Sequence, residues 1–119
     1  MNKKVLIVDD SLYMRTIIKD TLTDAGYEIV GQAANGESAI DMALELLPDI
    51  ITLDNILPDM LGLDILKTLK GESIEAKVLM ISAVGQQSVI DEGMRLGIGG
   101  YIVKPFSSEQ LLEAIKKLA

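Results

Sequence analysis

The stretch VLIVDDS, Val5–Ser11, decides how the chain is read. A short apolar run rich in β-branched residues ends abruptly in two adjacent carboxylates. Asp is a poor strand residue, and neighbouring carboxylates repel each other. A strand built for burial therefore delivers two negative charges to its own end, and the rest of the sequence has to supply their use.

Runs like Lys4–Val8 recur at Glu28–Ala33, Ile50–Leu53, Lys77–Ile81 and Tyr101–Val103. Helical patterns lie between them. Met14, Ile17, Ile18 and Leu22 form an apolar stripe at helical spacing, and Gly26 stands at the cap position. Ser38–Leu47 is stopped by Pro48, Leu63–Leu69 ends near Gly71, and Ser88–Leu96 ends at Gly97. A last helix spans Ser107–Leu118, where Ser107 and Gln110 form a capping box. This alternation with short connections predicts an α/β fold: a doubly wound parallel sheet of five strands with helices on both faces. Crossovers are expected to be right-handed. The nearly continuous apolar strands agree with burial on both sides. No linker, low-complexity tract or internal repeat interrupts the pattern, so 119 residues are read as one domain, 1–119.

Composition narrows the chemistry. The chain has no Cys, which excludes disulfides and thiolate sites. It has no His, which excludes a Ser-His-Asp triad, His-ligated zinc and phosphohistidine on this chain. Carboxylate, hydroxyl, amine and backbone remain, and their oxygens suit hard cations such as magnesium or calcium. A net charge of −7, from 11 basic and 18 acidic residues, argues against nucleic acid as a partner. No apolar stretch is long enough to span a bilayer. Asn2-Lys3-Lys4 resembles the start of a signal peptide, but Asp9 and Asp10 interrupt the apolar run behind it. The expectation is a soluble cytoplasmic protein.

In doubly wound sheets, sites form outside the carboxyl ends of the strands. Those ends carry Asp9-Asp10, Asp54, Ser82-Ala83 and Lys104-Pro105. Each has a plain reading. Asp10 or Ser11 would cap a helix, Asp54 would be a loop residue, Lys104 a solvated charge, and Ser82 a small residue leaving a strand. Capping does not explain both Asp9 and Asp10. Ile50–Leu53 suggests that Asp54 is held at the end of a buried strand, and Lys104 is restrained by Pro105 behind it. Brought to one edge, three carboxylates need compensation. A divalent cation and Lys104 would supply it, and a carboxylate beside that ion is a nucleophile toward phosphorus.

LIVDDS at Leu6–Ser11, Leu53-Asp54 ahead of Pro58, Ser82-Ala83 and VKPF at Val103–Phe106 together resemble the response-regulator receiver domain across essentially the whole chain. The resemblance implies a flavodoxin-like sheet of order 2-1-3-4-5. It implies that Asp54 accepts a phosphoryl group from a histidine kinase. Mg2+ would be held by Asp10, Asp54 and the backbone carbonyl of Ile56, with Asp9 acting through a bound water. Lys104, in a cis bond to Pro105, would pair with phosphoryl oxygens. Ser82 would hydrogen-bond the phosphoryl group, and Tyr101 would follow it inward as a switch. Such a module is not an enzyme in the ordinary sense, since it catalyses only its own phosphorylation and dephosphorylation.

GQQ at Gly85–Gln87 and DDSLYMR at Asp9–Arg15 look most like single-domain receivers of the chemotaxis type. That likeness implies an output partner such as a flagellar motor component, and a phosphatase. No effector follows Ala119, although a phosphorelay intermediate or a receiver excised from a larger regulator fits the same motifs. Two other classes fit less well. A phosphatase of the haloacid dehalogenase type needs D-x-D after its first strand, where this chain has D-D. A flavin carrier would set its phosphate against Asp9 and Asp10, and the chain has only three Tyr, one Phe and no Trp for stacking.

Overall fold

A computed structural model of the chain describes residues 3–83 and 86–118. Along them run β1 (Lys4–Val8), α1 (Leu12–Asp24), β2 (Glu28–Ala33), α2 (Gly36–Leu46), β3 (Ile50–Asp54), α3 (Gly62–Gly71), β4 (Lys77–Ala83), α4 (Gln87–Arg95), β5 (Gly100–Lys104) and α5 (Ser108–Leu118). The strands form one sheet of order β2-β1-β3-β4-β5, and every neighbouring pair is parallel. Met1, Asn2 and Ala119 lie outside the described residues, as does Gly85 of the GQQ stretch.

Strand side chains alternate between two faces. Leu6, Val8, Ile51, Leu53, Val78 and Met80 pack with Ala39 and Ala43 of α2 and Ile65, Leu66 and Leu69 of α3. Val5, Ile7, Ile50, Leu79 and Ile81 pack with Ile18 and Leu22 of α1 and Leu111, Ile115 and Leu118 of α5. Both faces of β1 and β3 are thus covered, which explains their unbroken apolar sequence. Each such Val, Leu, Ile or Met side chain contributes about 1.5–3 kcal/mol by leaving water. An unpaired carboxylate inside these layers would cost far more than that, so the strand ends are the places where Asp9 and Asp54 can be held.

The ladder runs further than the apolar runs suggest. β3 includes Asp54, paired in register with Ile81. β4 reaches Ala83 and β5 reaches Lys104, with Ser82 opposite Val103. Polar groups at these ends are therefore held by sheet pairing. Along β1 and β2 the register shifts, from Val5 opposite Ile29 to Leu6 opposite Gly31, and passes over Val30.

Helix ends follow local chemistry. Ser11 caps α1, its Oγ accepting from the Met14 amide at 3.2 Å. The chain leaves α1 through Gly26 at φ +94°, a conformation open to glycine. α2 begins two residues before the predicted Ser38 because Asn35 is the cap, its Oδ1 accepting from the Ser38 amide at 2.8 Å. The capping box at α5 is formed: the Gln110 Oε1 accepts from the Ser107 amide at 2.8 Å, and the Ser107 Oγ accepts from the Gln110 amide at 3.1 Å. No helix among the described residues is long and apolar enough to cross a membrane.

Candidate functional site

The carboxyl ends of β1, β3 and β5 bring Asp9, Asp10, Asp54 and Lys104 together, as the sequence predicts. Asp9 is 1% exposed and Asp54 8%, whereas Asp10 is exposed. One carboxylate oxygen from each of the three lies within 4.8 Å of the others. Lys104 Nζ donates to Asp9 Oδ2 at 3.0 Å and lies 3.4 Å from Asp54 Oδ2. Its peptide bond to Pro105 is cis. The ammonium expected to meet a phosphoryl group is, in this state, paired with two carboxylates.

Charge and burial act against each other here. Burial pushes the Asp54 carboxyl above its ordinary value; the Lys104 charge opposes this, and Asp9 adds to it. Burial works to lower Lys104, but its hydrogen bond to Asp9 and the charges of Asp54 and Asp9 outweigh it and hold the ammonium above the usual lysine range. The pair is thus favourable to the lysine, while Asp54 still loses more to burial than it gains. A single ammonium cannot balance three carboxylates. The converging oxygens are hard donors with one member open to solvent, a set that fits a divalent cation such as Mg2+.

The backbone tightens the arrangement. Asp9 Oδ1 accepts from the Ser11 amide at 2.9 Å, and Asp54 Oδ1 accepts from the Ile56 amide at 3.4 Å. Ile56 itself pairs with Leu61 in an antiparallel bridge, and its side chain is 54% exposed. On the far side, Ser82 is completely buried and its Oγ has no hydrogen-bond partner among the described residues. Tyr101 is 43% exposed and stands outward.

Two residues that the sequence reading missed support this edge. Arg15 Nη1 donates to the Asp9 carbonyl at 2.7 Å, and its Nε donates to Gln32 Oε1 at 3.3 Å. The guanidinium thereby ties the peptide between the two acidic residues to the end of β2. Its only sequence signal is its place one turn behind Ser11 on α1. Asp59 accepts from two amides at the start of α2; because it bonds backbone more than 20 residues away in sequence, no local pattern reveals it.

Against known proteins, the model of the response regulator receiver domain matches residues 5–116. The chemotaxis protein CheY of Thermotoga maritima is 43% identical over 119 residues, spanning 100% of this chain and 99% of its own. Among solved structures, the chemotaxis response regulator CheY4 of Vibrio cholerae has a TM-score of 0.92 at 34% identity, with 100% of both chains covered. A chain from the CheX–CheY–BeF3–Mg2+ complex of Borrelia burgdorferi has a TM-score of 0.93 at 31% identity, covering 98% of this chain and 88% of that one.

Proposed function

The chain belongs to the response regulator receiver family, and from that premise we propose that Asp54 is its phosphoacceptor. One observation carries the reading: a carboxylate at the end of the central strand, beside two further carboxylates and a shared ammonium. A carboxylate oxygen of Asp54 attacks phosphorus of a phosphohistidine on a kinase. The N–P bond breaks, the imidazole leaves with its electron pair, and an aspartyl phosphate forms. Because the transferring group carries its own charge, positioning and neutralisation dominate the chemistry.

Asp9, Asp10, Asp54 and the Ile56 carbonyl are the groups that would hold Mg2+, Asp9 through water. The ion, when bound, supplies positive charge to the phosphoryl oxygens. Lys104 exchanges its contact with Asp54 for one with the phosphoryl group and keeps Asp9. Ser82, whose hydroxyl is buried and unpartnered among the described residues, donates to the new acceptors. Tyr101 turns inward behind it. Output then changes on the surface around Tyr101, where β5 and α5 border an open groove of about 540 Å3 lined by Tyr101, Ile102, Val103, Gln110, Glu113 and Lys117.

In this reading residues 1–119 act as one cytoplasmic receiver that turns over no external substrate. The chemotaxis relatives support a role in chemotaxis, with an output partner such as a flagellar motor component and a phosphatase that ends the signal.

Incubation with acetyl phosphate and Mg2+, followed by intact mass, tests the assignment. The wild type gains one phosphoryl group, and Asp54→Asn gains none. Equal labelling of that variant overturns it.

A further inference from the structure

The loop between β3 and α3 is closed on itself. The Gly62 amide donates to the Asn55 carbonyl at 2.6 Å, and the Leu57 amide donates to the Met60 carbonyl at 3.2 Å. Ile56 bridges to Leu61, and Asn55 Oδ1 accepts from the Leu63 amide at 3.3 Å. Gly62 leaves no space for a side chain: a Cβ there would lie 2.5 Å from the Asp54 carbonyl oxygen. Asn55 and Leu57 are buried. Residues 55–62 therefore form one hydrogen-bonded unit that contains Ile56 and is rooted at Asp54.

The outer end of this unit is fastened to a different element. Asp59 Oδ1 accepts from the Gly36 amide at 2.7 Å, and its Oδ2 accepts from the Glu37 amide at 3.0 Å. These are two of the amides that the first turn of α2 leaves free. Met60 packs over Gly36, where any Cβ would collide with its side chain. The Gly36 and Glu37 amides hold the Asp59 carboxyl below its ordinary value, so it remains ionised and attached at neutral pH. The helix does not need Asp59 as its only cap, because Asn35 independently serves the Ser38 amide.

We infer that Asp59 is a positioning residue for the metal site: by clamping the closed β3–α3 loop onto the start of α2, it fixes the Ile56 backbone relative to Asp54 and Asp10. The inference rests on the proposed role of the Ile56 carbonyl. A carboxylate spanning two amides sets both the distance and the rotation of the loop, which one contact would not do. The hydrogen bonds of Asp59 go to the α2 amides and not to Asp9, Asp10 or Asp54, so it acts through Ile56.

Two caps on one helix provide the separating experiment. Mg2+ is titrated calorimetrically into wild type, Asp59→Ala, Asp59→Asn, Asn35→Ala and Glu37→Gln, and the Tm of each metal-free protein is recorded. Asp59→Ala and Asn35→Ala both lower Tm, since the first frees two amides of α2 and the second frees one. Only Asp59→Ala weakens Mg2+ binding, by about tenfold, the low end of what losing a partner behind a metal ligand costs. Asp59→Asn keeps one oxygen acceptor and falls between Asp59→Ala and wild type; it decides the matter if Asp59→Ala does not fold. Glu37→Gln removes a charge from the same turn without touching the loop, and its affinity stays that of the wild type. If wild type binds no Mg2+, the reading of the site falls and the inference falls with it. If wild type binds and Asp59→Ala binds equally well, or Asn35→Ala weakens binding to the same extent, the inference alone is overturned.

Discussion

At the strand ends on the β1–β3 side of Asp54, buried donors and acceptors are matched. Asp9 takes the Ser11 amide and Lys104, Arg15 holds the Asp9 carbonyl, and Asn35 and Asp59 serve the start of α2. On the β4–β5 side the matching stops. The Ser82 hydroxyl is buried without a partner among the described residues, Tyr101 stands in solvent, and Gln86 makes no side-chain bond to the first amides of α4. Its Oε1 accepts from the Ala83 amide instead, at 3.3 Å. A phosphoryl group would add strong acceptors, and among the described strand-end residues Ser82 holds a buried donor that is unused. The difference fits the proposed division of labour, in which the first side binds and the second responds by forming bonds it lacks.

The comparison breaks most visibly at Lys104, which belongs to both sides. Lys104→Met leaves Asp9 buried and unpaired, so stability falls by about 3 kcal/mol. Urea unfolding of the metal-free protein measures this, and a loss well under half that size would mean that Arg15 and the backbone suffice for Asp9. Next in size is Ile56. In the proposed aspartyl phosphate its exposed side chain would shield phosphorus and offer nothing to orient an attacking water. Ile56→Asn therefore shortens the life of the aspartyl phosphate by about tenfold, read as the decay of the phosphorylated mass at saturating Mg2+. Decay no faster than wild type would remove Ile56 as the control point.

A smaller effect separates two hydroxyls. Thr52 and Ser82 are both fully buried, and neither has a partner among the described residues. Thr52→Val and Ser82→Ala should each raise stability, by up to about 1 kcal/mol, because an unpaired buried hydroxyl is costly. Amide NMR with beryllofluoride then divides them. Thr52→Val keeps the shifts near Tyr101, and Ser82→Ala loses them; the same response in both would erase the distinction between a packing residue and a reader.

The finest test uses pH. The folded pKa of Asp54 lies above the ordinary 3.8, so the folded chain holds this proton more tightly than the unfolded chain. Its contribution to stability therefore falls as pH rises from the ordinary value through the folded one. Metal-free Asp54→Asn lacks that fall. Melting curves from about pH 4 to 7 in low salt, on either side of the carboxylate range, should diverge in its favour as pH rises.

Sequence carried the fold because burial on both faces writes itself into continuous apolar strands. Boundaries were less legible where hydrogen bonding, not apolarity, sets them. β4 extends through Ser82 to Ala83 because the ladder with β5 continues, and α2 starts at Gly36 because its amides find Asn35 and Asp59. The convergence of Asp9, Asp10, Asp54 and Lys104 followed from strand ends alone. Arg15 and Asp59 did not, since each recognises main chain that only the folded path brings near. The paired state of Lys104 was also hidden: one charge facing two carboxylates is a matter of distance.

The skipped residue in β2 has a consequence away from the site. In the order β2-β1-β3-β4-β5 the outer strands are β2 and β5, and an outer strand is where a second molecule could add its own and begin aggregation. Passing over Val30 puts an irregularity into β2, which a flat, regular incoming strand matches poorly. β5 is only five residues long and closes on the charged Lys104. Both margins of the sheet discourage edge-to-edge growth.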